Sequence, residues 1–129
     1  MERERFEELV SEALDSLPDS LRSRMANIGV EVRLLADRET LRSVGAKHPM
    51  NLLGVYQGVP FDRRGPWYGN VLPDRILIFQ QPIEARSRTA AQVRQLVRSV
   101  VIHEVGHYFG LDDEELARLE RDANRTDKD

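Results

Sequence analysis

Cysteine is absent from all 129 residues, so no disulfide framework is available to support a secreted life. Also missing is any apolar segment of signal-peptide or membrane-spanning length, and the chain opens on the charged run Met1-Glu2-Arg3-Glu4-Arg5. Together these absences predict a cytoplasmic protein that does not enter a membrane. An excess of positive charge is lacking as well. The net charge of -3 argues against general nucleic-acid binding, and the local cluster Arg86, Arg88, Arg94 and Arg98 reads as a solvated helix face. No internal repeat or low-complexity tract is visible. The length fits one domain over residues 1–129, large enough for a modest core but too short for two lobes enclosing a deep cleft.

Against these absences stands one dense stretch, His103-Glu104-Val105-Gly106-His107-Tyr108-Phe109-Gly110-Leu111-Asp112-Asp113. It has the form HExxHxxGxxD. Residues four apart on a helix lie one above the other, so His103 and His107 can aim both imidazoles at one point, the arrangement of a zinc site. Glu104 is one step round the helix, where its carboxylate can act on a water without becoming a ligand. Upstream, Val93, Leu96, Val97 and Val100 keep helical spacing and their stripe continues into the two histidines, which predicts that both point inward. Gly110 can adopt the left-handed conformation that ends a helix, letting the chain turn back and offer Asp113 as third ligand.

The same aspartates allow an account that needs no metal. Asp112 followed by Glu115 has the form of a helix capping box. The reading favoured here makes Asp112 the cap and Asp113 the ligand, with Glu114, Glu115 and Glu120 as alternative ligands.

The motif resembles that of the zincin metallopeptidases, and its Gly-x-x-ligand extension resembles the metzincin branch, in which snapalysin-like members use Asp as third ligand. Metzincins carry a methionine turn after that ligand, whereas the methionines here, Met1, Met25 and Met50, all lie upstream. The chain is more similar to small bacterial zincin-like proteins that share Leu52-Leu53-Gly54-Val55-Tyr56-Gln57-Gly58, then Leu72-Pro73-Asp74-Arg75-Ile76-Leu77-Ile78-Phe79, then HExxHxxGxxD. The resemblance covers most of residues 15 to 120 and implies a minimal zincin domain that binds Zn2+.

Taken in order, Phe6, Leu9, Val10, Ala13 and Leu14 predict an amphipathic helix that covers the domain within residues 1–17. A short helix follows from Pro18 to about Met25. Ile28, Val30, Val32 and Leu34 alternate as in a half-buried strand, and one or two helical turns are expected over Asp37 to Ser43. His48-Pro49 sits in a loop between Gly45 and Asn51, where a loop histidine is a simpler reading than a ligand. Leu52 to Gln57 reads as a second strand. Pro60 to Asn70 reads as a polar loop, whose Trp67 and Tyr68 are candidates for a substrate-facing rim or for a cover over the core. Arg75 to Gln80 reads as a third strand stopped by Pro82. In zincins the strand lying over the active-site helix is a sheet edge that pairs with extended peptide, and the resemblance gives that role to Ile76, Leu77, Ile78 and Phe79. Thr89 or Ser87 caps a helix of about twenty residues ending at Phe109, a last amphipathic helix carries Leu116 and Leu119, and 124–129 is expected to be a disordered tail.

These readings combine into an α+β fold, a small mixed sheet of about three or four strands packed on the HExxH helix with further helices around it. The expected activity is zinc-dependent hydrolysis of a peptide or protein substrate, with His103, His107 and Asp113 on the metal and Glu104 as general base. Tyr56, Tyr68 and Tyr108 are all candidates for stabilising the oxyanion. Two other functions fit the same residues, a non-catalytic zinc-binding interaction module and a zinc amidohydrolase of non-peptide amides. A monomer is the simplest oligomeric state.

Overall fold

The computed structural model describes residues 1–25, 27–58 and 74–128, with side chains as far as Asp122. Among the described residues, six α-helices and three strands follow in the order α1 (Arg3–Asp15), α2 (Asp19–Arg22), β1 (Gly29–Arg33), α3 (Arg38–Val44), β2 (Gly54–Gln57), β3 (Arg75–Phe79), α4 (Gln80–Ala85), α5 (Ala90–Phe109) and α6 (Asp113–Lys128). A 3₁₀ turn over Pro49–Asn51 precedes β2. The sheet has the order β1-β3-β2, with β1 parallel and β2 antiparallel to β3. It is therefore mixed, and the fold is α+β as the sequence predicts.

The sheet order corrects one expectation. β3 is central, so its backbone N–H and C=O groups are committed to a neighbour on each side and cannot receive a peptide by strand addition. Its side chains are committed as well. Alternation sends Ile76 and Ile78 into the main core with α1 and α5, and Leu77 and Phe79 into a second cluster with Ala36 and Val55. Ile76, Leu77, Ile78 and Phe79 are thus core residues rather than a substrate rim, and the run is unbroken because both faces are covered. Among the described residues, the edges belong to β1 and β2.

α1 contributes Phe6, Leu9, Val10 and Ala13 to the main core and packs along α5, while Arg3 donates to the Val32 carbonyl of β1. α3 is capped by Asp37, whose Oδ1 accepts the Thr40 N–H at 2.8 Å, and this bond holds the Asp37 carboxyl below the usual range. His48 caps the 3₁₀ turn, its Nδ1 accepting the Met50 N–H at 3.1 Å, in keeping with a loop histidine. α4 is an element that the sequence reading lacks. Pro82 ends the strand, but it also sits in the first turn of a helix, where its missing N–H is not needed. α6 extends through Lys128, into the stretch expected to be a disordered tail.

Candidate metal centre

α5 runs its full expected length. The Thr89 hydroxyl accepts the Gln92 N–H at 3.1 Å to start it, and Gly110 at φ 68° ends it, with the Leu111 N–H reaching back to the Gly106 carbonyl at 2.9 Å. Val93, Val97, Val101 and Val105 face the core and are all buried. His103 and His107 continue the neighbouring stripe of half-buried Leu96 and Val100, and both are exposed. The expectation that they point inward is therefore corrected. The apolar positions of α5 form two adjacent stripes, and the histidines extend the marginal one. Their rings are neighbours all the same, with centroids 4.7 Å apart at 68°.

Glu104 is the buried member of the motif, at 6% exposure. Its Oε1 lies 3.3 Å from His107 Nδ1, and its carboxylate also accepts the backbone N–H of Tyr56 on β2. Burial pushes the Glu104 carboxyl above its usual range, and the imidazoles of His107 and His103 with the Tyr56 N–H pull back in part. The Tyr56 N–H is available because of strand register. The Phe79 N–H donates to the Leu53 carbonyl at 2.9 Å, so Leu53, Val55 and Gln57 turn their backbone groups toward β3 while Gly54 and Tyr56 turn theirs outward.

Glycine sets how close β2 comes to α5. A Cβ at Gly54 would stand 2.7 Å from Val100 Cγ1, 3.2 Å from the Leu77 carbonyl oxygen and 3.4 Å from Glu104 Cγ. A second glycine, Gly106 between the two histidines, gives the same access to α6. A Cβ there would stand 2.1 Å from Leu116 Cδ2. Neither glycine nor the Tyr56 N–H figured among the sequence candidates. The available signal was Gly54 itself, since a lone glycine inside a strand pattern marks a close backbone approach.

Past Gly110 the capping box is present as expected. The Glu115 N–H donates to Asp112 Oδ1 at 2.8 Å, and the Asp112 N–H donates to Glu115 Oε1 at 3.2 Å. Asp113 is the first residue of α6 and is exposed. The structure brings His103, Glu104 and His107 together but does not draw Asp113 in with them. Among the described residues, no three His, Asp or Glu side chains form a group able to hold a metal ion. The donors present still fit one, because two adjacent imidazoles open to solvent are suitable zinc ligands, and Asp113 is not occupied in capping.

Of the three tyrosine candidates, Tyr56 donates its hydroxyl to Asp74 Oδ1 at 2.9 Å and Tyr108 is buried against the Tyr56 and Phe109 rings. Tyr68 and Trp67 lie outside the described residues. Among the described residues, no helix is long and apolar enough to cross a membrane. No curated protein matches the chain. Residues 25–123 match the family model for zincin-like metallopeptidases, which spans the whole sheet and the HExxH helix, and the chain belongs to that family.

Proposed function

We propose that the protein is a zinc-dependent peptidase in which His103, His107 and Asp113 hold the metal and Glu104 is the general base. Family membership supports a zinc peptidase in general. The observation that carries the finer reading is the setting of Glu104, a buried carboxylate anchored by the Tyr56 N–H beside two open imidazoles. Zinc at such a site supplies Lewis acidity, polarising a carbonyl and making water acidic near neutral pH. Glu104 takes the proton from the attacking water and passes it to the leaving amine. Its raised proton affinity suits that task, and the bond from Tyr56 keeps it in one rotamer.

The substrate is a peptide or protein held along β2. That strand is a sheet edge beside α5, and the outward carbonyls of Gly54 and Tyr56 can pair with an extended backbone with little demand on its sequence. Assigning substrate to β2 replaces the role that resemblance gave to β3.

The test is Glu104→Gln. The variant should keep its zinc and its fold but lose cleavage of a mixed peptide library, because a neutral amide accepts no proton. Equal cleavage by variant and wild type would refute the assignment, and zinc content measured on both separates loss of the base from loss of the metal.

A further inference from the structure

The basic cluster noted in the sequence divides in the structure. Arg94 pairs with Glu12 at 3.2 Å and Arg98 is buried. Arg86 and Arg88 remain exposed, and among the described residues neither forms an ion pair. Both line a groove of about 510 Å³ that runs along α5 past Gln92 and Leu96 to Ser99. Ser99 is four residues before His103, so the groove ends about 6 Å, one helical turn, from the nearer histidine.

The groove also lies on the line of the sheet edge. Gly54 sits against Val100 and Glu104, and Tyr56 against Glu104 and Tyr108, so β2 and α5 run side by side in the same direction. Followed back from Gly54, the chain reaches Met50, whose carbonyl accepts the Arg86 Nη1 at 2.8 Å. The Pro82 carbonyl accepts the same nitrogen at 3.0 Å, which fixes one end of the guanidinium while the residue still lines the groove. A peptide laid along β2 and the histidine face of α5 would therefore run into Arg86 and Arg88.

We propose that this groove is a substrate subsite for a carboxylate, and that it gives the protein a preference for acidic peptides. The proposal rests on the peptidase reading above. Arg88 lies two residues before α5, whose stretch from Ala90 to His103 spans about 20 Å, and an extended peptide advances about 3.3 Å per residue. The carboxylate would thus sit about six or seven residues from the scissile bond. Two guanidiniums without acidic partners among the described residues, in a chain of net charge -3, offer charge-assisted hydrogen bonds at low desolvation cost. An acidic side chain and a peptide's terminal carboxylate present the same chemistry.

Binding is measured with labelled extended peptides of about ten residues, using the full chain kept metal-free by chelator so that nothing is cut. A peptide with glutamates toward one end should bind about tenfold tighter than its glutamine counterpart. That preference should shrink at high salt and vanish in Arg86→Gln/Arg88→Gln. Arg86 also secures two carbonyls, so Arg88→Glu, which touches neither, provides an independent variant and should abolish or invert the preference. Amidating the peptide C-terminus separates the two carboxylate sources, a loss of preference on amidation assigning the site to the terminus. Equal binding of acidic and neutral peptides, binding of neither, or a preference that survives Arg88→Glu overturns the subsite. If zinc-loaded wild type cuts no peptide while the binding preference stands, the peptidase reading fails alone. If peptides are cut but bound without preference, the subsite fails alone.

Discussion

The two flanks of α5 around the histidines are built by different means. On the β2 flank, backbone and buried side chains from distant parts of the chain converge, with Gly54 against Val100 and the Tyr56 N–H on Glu104. On the α6 flank, placement is local: Gly110 in the left-handed conformation, then the reciprocal Asp112 and Glu115 bonds within four residues. On the proposed reading, the base is placed by tertiary packing and the third metal donor by a turn. A general base needs one fixed orientation toward its water, whereas a ligand on a turn can adjust when the metal arrives.

The contrast can be broken at several points. Replacing a histidine should have the largest effect, since His103→Ala removes one of two adjacent imidazoles and should abolish stoichiometric zinc by metal analysis. Wild type that takes up no zinc on reconstitution would remove the basis for the site. Asp113→Ala should come next, weakening zinc by roughly a hundredfold or more while thermal unfolding of the apo protein barely moves. Unchanged affinity in a zinc titration would transfer the third-ligand role to Glu114, Glu115 or Glu120.

Gly54→Ala probes the other flank. Forcing a Cβ against Val100 and the Leu77 carbonyl should cost ~2 kcal/mol in denaturant unfolding, and adding Val100→Ala should restore part of it. No loss in the single variant would mean that β2 has room to retreat from α5. Asp112→Ala should be mildest, costing ~1 kcal/mol through loss of the cap. Its zinc affinity should stay near wild type, and parallel losses in Asp112→Ala and Asp113→Ala would erase the distinction between cap and ligand.

What could be read from the sequence follows the same division. Features set by neighbours along the chain were legible: the bounds of α5 from Thr89 and Gly110, the capping box from Asp112 and Glu115, and the strands from their apolar runs. Features set across the fold were not. An unbroken Ile-Leu-Ile-Phe run signals burial on both faces but says nothing of which strands lie beside it, so the central place of β3 could not be told from an edge. Whether His103 and His107 face the core or its margin depends on which of two adjacent apolar stripes takes the centre of the core. Pro82 was legible as a stop and equally compatible with a first helical turn, and only the packing of α4 decides between them.

The bond from Tyr56 to Glu104 also bears on the order in which the molecule becomes competent. The histidines are neighbours by helical spacing alone, so they can meet a metal ion as soon as α5 winds. Aligning the carboxylate takes far more. It needs β2, which is held by β3, and β3 pairs with β1 across a wide gap in the chain, Gly29 opposite Arg75. Long loops of that kind close slowly compared with the winding of a helix. A chain leaving the ribosome, or one whose sheet has melted, can thus carry both imidazoles without an oriented proton acceptor. On the proposed chemistry, such a half-made molecule cannot cut the unfolded chains around it.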